Sequence, residues 1–261
     1  MFPRIMILKR QLLVLILSLF SLSLQAADIR YYDVEVIIFE NLQANSRDSE
    51  HWPQQLEREP PENSIEIGGE WPGGRPDEYD PKLSFTPLPE NKWRLTSEAE
   101  KIDHSKSRRL LAHLAWVQPG LSQAQALSVH FRQPVTATRQ ENEFETGETT
   151  PKESEKTAAE DSFDSGTLDA LIRVSLARYL RVETDLLFTL DLPPVEQNSM
   201  NTTPALESEV ETSPAPRYFR VQQVRRRIRS TELHYLDHPV LGMLVMFTPH
   251  ESADKTAAKK K

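Results

Sequence analysis

The stretch LDALIRVSLARYLRVETDLLFTL, residues 168–190, decides the fold of this chain. Apolar side chains recur at every second position in both of its halves, with Thr184 as the exception, which is the period of a strand that buries one face. A short link near Ala177 separates the halves, although it lacks the Asn-Gly or Asp-Gly pair typical of the tightest hairpins. We therefore predict two antiparallel strands here, with the remaining elements arranged around them.

Four other segments have the composition of strands. Residues 31–39 alternate at first and then become apolar on both faces, and residues 109–117 and 240–247 are largely apolar on both faces throughout. A strand of this kind is typical of a covered position inside a sheet. Residues 217–229 return to strand character after a region rich in Ser, Thr and Pro.

Two segments favour short helices. Ser97-Glu98-Ala99-Glu100 has the pattern of a capping box, which predicts a helix that runs to about Lys106. Residues 230–237 predict one or two helical turns that end at His238-Pro239, because the residue before a proline avoids helical geometry. Together these elements predict an α+β fold with a mostly antiparallel sheet of about five or six strands and one or two short helices.

Long irregular regions interrupt this single α+β domain, which we place at residues 27–249. Residues 42–92 are rich in proline and contain two Gly-Gly pairs, so we predict a surface excursion pinned by Trp52, Trp71 and Phe85. Residues 138–166 and 195–216 are acidic and contain few large apolar side chains, so they cannot offset their ordering entropy. We predict disordered acidic insertions at both, and a flexible Lys-rich tail at residues 250–261.

The N-terminal 26 residues have the layout of a secretory signal peptide. Arg4, Lys9 and Arg10 precede a short apolar stretch, residues 12–24, and Ala26 offers a plausible cleavage point. The apolar run is shorter than the ~20 residues that cross a bilayer, which disfavours a membrane span. Because Leu24 replaces the usual small residue before the cleavage point, an uncleaved anchor stays open as an alternative. We expect export to the periplasm.

Composition excludes several classes of protein. The chain has no cysteine, which rules out disulfides, thiol nucleophiles and a lipid-anchored lipobox cysteine. Loss of the three cations of the signal peptide would change the formal net charge from −8 to −11. Strong acidity and export both argue against nucleic-acid binding.

Candidate catalytic residues are scarce. The sequence contains no nucleophile elbow, phosphate loop, dinucleotide fingerprint or His-Glu-x-x-His motif, so we expect no enzyme, no cofactor and no metal. The constellation that keeps a metal-dependent hydrolase open as a rival is His234, Asp237 and His238, because on a helix the two histidines would share one face. The alternative is that Asp237 and His238 only shape the turn into Pro239.

A basic segment gives the stronger indication of function. Five arginines fall within ten residues, with no acid among them, on an otherwise acidic chain: Arg220, Arg225, Arg226, Arg227 and Arg229. The planar guanidinium suits carboxylates. Three tyrosines are candidates for stacking on sugar faces: Tyr179, Tyr218 and Tyr235. The alternative is that the acidic insertions, or Glu183 and Asp185, neutralise the strip internally.

Four blocks of this sequence resemble the CsiV family of periplasmic peptidoglycan-binding proteins. They are YYDVEVIIFEN at residues 31–41, LLAHLAWVQPG at 110–120, ARYLRV at 177–182 and ELHYLDHP at 232–239. The resemblance implies a non-catalytic envelope protein of Gram-negative bacteria. It also implies peptidoglycan binding and support of cell-wall synthesis by a class A penicillin-binding protein with its outer-membrane lipoprotein activator.

The residues and the resemblance together lead to one expectation of function. We expect a periplasmic accessory protein that binds peptidoglycan through the five arginines, with Tyr179, Tyr218 and Tyr235 as stacking partners. A rival from another class is a protein adaptor, whose basic strip would bind an acidic envelope protein and ignore the wall.

Overall fold

The computed structural model describes residues 29–43, 47, 58–136, 165–191 and 216–251. The chain divides into two compact units, Met1–Arg30 and Tyr31–Lys261. Only residues 29 and 30 of the first unit are described, so the fold below is that of the second. The predicted signal peptide, Trp52, and most of the two predicted insertions and of the tail lie outside the described residues.

Strands dominate the described part of the chain, which also contains one α-helix, α1 (Thr96–Asp103), and one 3-10 turn, Glu90–Lys92. No described helix has the length and apolar composition that a bilayer span requires. The strands are β1 (Tyr31–Asn41), β2 (Ser64–Ile65), β3 (Thr86–Pro87), β4 (Arg108–Pro119), β5 (Ser128–Val135), β6 (Gly166–Leu176), β7 (Leu180–Leu190), β8 (Arg217–Ile228), β9 (Leu233–Leu236) and β10 (Leu241–Pro249).

The strands form two five-stranded sheets. Sheet A has the order β3-β4-β1-β10-β9, and sheet B has the order β2-β5-β6-β7-β8. All neighbours are antiparallel except the short β2–β5 pair. The predicted antiparallel pairing is therefore confirmed. The prediction of one sheet of five or six strands is wrong, and the described fold is mostly β with one helix.

Sheet A lies between two layers, which explains why β1 is apolar on both faces. On one face Val34, Val36 and Ile38 are fully buried. This face is turned towards sheet B, because the guanidinium of its neighbour Arg109 lies over the Phe188 ring of sheet B, 5.5 Å from the centroid. On the opposite face Ile37 and Phe39 pack in one cluster with three residues at α1, Leu95, Ala99 and Ile102.

The two residues that lead into α1 are held by the sheet, and no side chain of the helix's own sequence caps its N-terminus. The carboxylate of Glu35 on β1 accepts hydrogen bonds from the backbone N–H groups of Arg94 (2.7 Å) and Leu95 (2.8 Å) and lies 2.9 Å from Nε2 of His113. Ser97 instead bonds Glu98, so the predicted capping box does not form. Burial alone would raise the pKa of Glu35, but these hydrogen bonds lower it below its usual value.

The hairpin predicted for residues 168–190 forms. β6 and β7 pair from Gly166↔Leu190 to Leu176↔Leu180, and the turn falls at residues 177–179. In the excursion, Phe85 is fully buried, and Trp71 stacks on Tyr79 at 5.2 Å and meets the edge of Phe85 at 5.3 Å. Both predicted aromatic pins inside the described residues therefore pack within their own loop.

The helical prediction for residues 230–237 is wrong. Leu233–Leu236 is strand β9, which pairs antiparallel with residues 243–246 of β10 at the edge of sheet A. Local preference in so short a segment is weak, and the unpaired backbone of β10 gains hydrogen bonds from a neighbouring strand. Strand β5 is also not predicted, because Pro134 and the polar residues beside it obscure its alternation.

Candidate functional site

The face of sheet B turned away from sheet A carries most of its charged side chains. Strand side chains alternate between faces, so every second residue of β6, β7 and β8 lies here. We call this surface the polar face. It includes Asp169, Arg173, Glu183, Asp185, Arg220 and Gln222.

Asp185 is the centre of a network on the polar face. Arg220 donates to it twice, from Nε to Oδ1 at 2.9 Å and from an NH2 group to Oδ2 at 2.6 Å, and Gln222 donates to Oδ2 at 3.1 Å. Arg58, from the excursion, lies 3.3 Å from Oδ1 and also pairs with Asp169. Arg58 therefore ties the excursion to the middle of sheet B.

The network shifts the pKa values of its charged groups. Burial alone would raise the pKa of Asp185, but Arg220, Arg58 and Gln222 lower it below its ordinary value. The bond to Asp185 also raises the pKa of Arg220. The guanidinium of Arg220 is thus a structural partner of an internal acid, which is the alternative that the sequence left open for the strip.

Two further arginines of the polar face are also paired. Arg181 lies 2.7 Å from Oε1 of Glu183, and Arg173 lies 3.6 Å from Oε2. Arg173 additionally donates to the carbonyl oxygens of Ala126 and Gln123 in the loop before β5. These ion pairs neutralise the charge of Arg173 and Arg181 within the fold, so the two residues do not extend a cationic surface.

The remaining arginines of the predicted strip stay at the surface. We call Arg225, Arg226, Arg227 and Arg229 the arginine cluster; all four are exposed. No described residue forms an ion pair with the first three, and Arg229 has one loose contact to exposed Glu232 at 3.6 Å. Within the described part of the chain, the guanidinium groups of Arg225, Arg226 and Arg227 therefore have no acidic partner.

A β-bulge produces this exposure. Leu180 pairs with Ile228 and Val182 pairs with Arg225, so β8 has one residue more than β7 between these pairs. Arg227 adopts a left-handed conformation with φ of 61°. A bulge interrupts the alternation of side chains, and three consecutive arginines become exposed although a regular strand would alternate them between faces.

Of the three predicted stacking tyrosines, Tyr179 lies at the same end of sheet B as the cluster. It belongs to the β6–β7 turn, directly before Leu180, which pairs with Ile228. Tyr179 is 39% exposed, and the guanidinium of Arg178 lies 5.6 Å from the centroid of its ring.

The structure places the other two tyrosines elsewhere. Tyr218 pairs with Thr189 at the far end of β8, seven residues or roughly 23 Å from Arg225. Tyr235 lies on sheet A, where its ring stacks on Phe39 at 6.1 Å, on the face that carries α1. Burial, and then a hydrogen bond to Asp237, raise the pKa of Tyr235 to about 12. The eight predicted residues therefore do not share one surface.

The helix on which the metal hypothesis depends does not form. His234 lies within strand β9 and His238 lies two residues beyond its end, so the two histidines do not share one face of a helix. The carboxylate of Asp237 accepts from Tyr235, and Nδ1 of His238 accepts from the backbone of Val240. Among the described residues, no group of three His, Asp or Glu side chains is placed to hold a metal ion.

The polar face also contains a groove that the sequence does not reveal. The groove has a volume of about 470 Å³ and is lined by Pro61, Asn63, Leu171, Glu183, Gln222 and Val224, among others. Two of these residues come from the excursion, and the rest come from β6, β7 and β8. One lining residue, Val224, directly precedes Arg225 of the arginine cluster, although Val224 pairs with Glu183 on the polar face and Arg225 pairs with Val182 on the opposite face. Its residues are separated by up to 163 positions along the chain, so no local pattern could have identified them.

Comparison with known proteins identifies a family. Residues 10–250 match the family model described as "Peptidoglycan-binding protein, CsiV". No curated protein and no solved structure matches the chain.

Proposed function

The chain belongs to the CsiV family of peptidoglycan-binding proteins, and from this premise we propose that it binds peptidoglycan in the periplasm without cutting it. The observation that carries the proposal is the arginine cluster. Its guanidinium groups are exposed on a chain whose formal net charge is −8. Other arginines, such as Arg58, Arg173 and Arg220, are held by internal acids.

The chemistry of the wall fits such a surface. The stem peptides of peptidoglycan bear carboxylates, and the planar guanidinium forms paired, charge-assisted hydrogen bonds with carboxylates. The sugars offer apolar faces, for which the exposed ring of Tyr179 is a suitable partner. We therefore assign binding to the arginine cluster and Tyr179, and omit Arg220, Tyr218 and Tyr235 because of their internal bonds or their distance.

A pull-down on purified sacculi tests this assignment. We expect the triple variant Arg225→Ala/Arg226→Ala/Arg227→Ala to lose about tenfold in affinity for sacculi, since three exposed charge pairs at about 0.5 kcal/mol each contribute about 1.5 kcal/mol. The retention of the parent protein should also fall as salt rises, because salt screens exposed charges.

The matched control removes the same charge elsewhere on the surface. Lys82→Ala/Lys92→Ala/Lys101→Ala deletes three exposed cations that belong neither to the arginine cluster nor to the groove lining, and it should be retained like the parent. Equal retention of the arginine variant would overturn the site assignment. A parent protein that sacculi do not retain would overturn the function itself and favour the protein adaptor.

We propose further that the chain supports cell-wall synthesis by a class A penicillin-binding protein with its outer-membrane lipoprotein activator. This role rests on the family resemblance. Addition of the purified chain to a reconstituted class A enzyme and its activator should raise the rate of glycan polymerisation. A rate that is unchanged across a range of chain concentrations would count against the role and leave wall binding unaffected.

A further inference from the structure

The groove on the polar face has the size and position of a ligand site. Its volume of about 470 Å³ lies within the ~300–1,000 Å³ range of small-molecule sites, and one of its lining residues, Val224, directly precedes the arginine cluster in β8. Strands β6, β7 and β8 form its floor, and Pro61 and Asn63 of the excursion form part of its wall. A rigid sheet with one loop wall suits a preformed site.

The acidic groups that line the groove are already neutralised. Asp185 is held by Arg220, Arg58 and Gln222, and Glu183 is held by Arg181 and Arg173. The groove therefore presents little net charge to a ligand. This differs from the arginine cluster beside it, and it disfavours a strongly charged occupant.

Neutral amide groups remain available in the groove. The exposed side chain of Asn63 forms no hydrogen bond with any described residue. Gln222 uses its NH2 group on Asp185, which leaves its carbonyl oxygen to accept a further bond. An amide acceptor of this kind pairs with an N–H donor, and an intact side-chain amide can serve as both donor and acceptor.

The groove also has an exposed apolar wall. Val224 is 53% exposed, which is unusual for a β-branched residue in a strand, and Leu171 and Pro61 line the same space. The combination of amide groups, a neutralised carboxylate and an apolar wall matches a ligand that carries hydroxyl groups, an acetamido group and C–H faces.

We infer that this groove binds an N-acetylated amino sugar of the glycan strand, while the adjacent arginine cluster contacts the carboxylates of the stem peptide. The inference rests on the proposed function, since it assigns two parts of one ligand to two neighbouring surfaces. Asn63 and Gln222 bind the acetamido group, and Val224 packs against the sugar face.

The test separates the two parts of the ligand. The probes are intact sacculi and glycan strands from which an amidase has removed the stem peptides. We expect the parent chain to bind both. The variant Asn63→Ala/Gln222→Ala should lose about tenfold in affinity for the bare glycan strands, as expected from the loss of two hydrogen bonds. The arginine triple variant should bind them like the parent.

A control variant tests whether the loss of glycan binding is specific to the groove. Gln125→Ala removes an exposed amide outside the groove and should leave glycan binding unchanged, and an unaltered melting temperature shows that each variant is folded. A parent that binds intact sacculi but no bare glycan, or a double variant that binds glycan like the parent, would overturn the groove inference and leave the proposed function standing. Failure of the parent to bind sacculi would overturn the proposed function.

Discussion

Replacement of Glu35 by alanine is expected to lower the free energy of unfolding by about 3 kcal/mol, the largest effect of any substitution considered for this chain. The carboxylate is buried, and it accepts from the backbone of Arg94 and Leu95 and contacts His113. Alanine would leave these donors without their acceptor inside the protein. Urea denaturation followed by tryptophan fluorescence gives the measurement.

The matched control is Glu100→Ala, which removes an exposed acid from α1 and should change the free energy of unfolding by less than about 0.5 kcal/mol. The two substitutions remove the same charge, so equal effects would refute the role of Glu35 in holding the residues that lead into α1.

The stability that Glu35 contributes also depends on pH. Its pKa in the folded chain is lowered from 4.5, so the contribution is complete above that pH and is lost as the pH falls through the lower folded value. We expect the parent to lose stability below about pH 4.5 more steeply than Glu35→Ala. Parallel acid-unfolding curves for the two proteins would contradict this.

Replacement of Asp185 by alanine is expected to destabilise the chain by about 2 kcal/mol. Its side chain is 18% exposed and joins Arg58, which is 7% exposed, to Arg220 on β8. The substitution leaves Arg220 without its main acceptor and removes one of the two carboxylates that contact buried Arg58, which keeps Asp169. We expect a smaller loss of stability than for a fully buried ion pair, because Arg220 is 34% exposed and water screens its charge.

Glu183→Ala is the matched control, because it lies two residues away on the same face of β7 and also pairs with two arginines. The side chains of Glu183, Arg173 and Arg181 are each about a quarter exposed, so we expect the free energy of unfolding to fall by less than about 1 kcal/mol. Equal losses at the two positions would show that the contact between the Asp185 side chain and buried Arg58 adds no stability. Chemical denaturation monitored by circular dichroism distinguishes these outcomes.

Alternation of apolar side chains accounts for most of what could be predicted about the fold. It identified the β6–β7 pair from residues 168–190, and it indicated from residues 31–39 that β1 is covered on both faces. Alternation indicates which face of a strand is buried, but it does not indicate whether a helix or a second sheet covers that face. For that reason it could not distinguish one sheet with a helix from two sheets with a helix.

The site was predictable only where it is local in sequence. The density of arginines in residues 220–229 identified a basic segment, but the pattern could not reveal that Arg220 is held by Asp185, 35 positions earlier. Arg58 bonds the backbone of Asp185 from 127 positions away, and its role has no local signal. The assignment of ligand binding to the remaining arginines stays a prediction.

The bulge near the end of β8 has a second consequence, for solubility. β8 is the last strand of sheet B and pairs along one side only among the described residues. An open edge can be extended by a strand from another molecule, which leads to aggregation. Here an irregular backbone and several like charges occupy the open edge, and both discourage such intermolecular strand addition. Neutralising substitutions at Arg225–Arg227 would therefore remove protection against self-association, so binding assays on them should be run at low protein concentration.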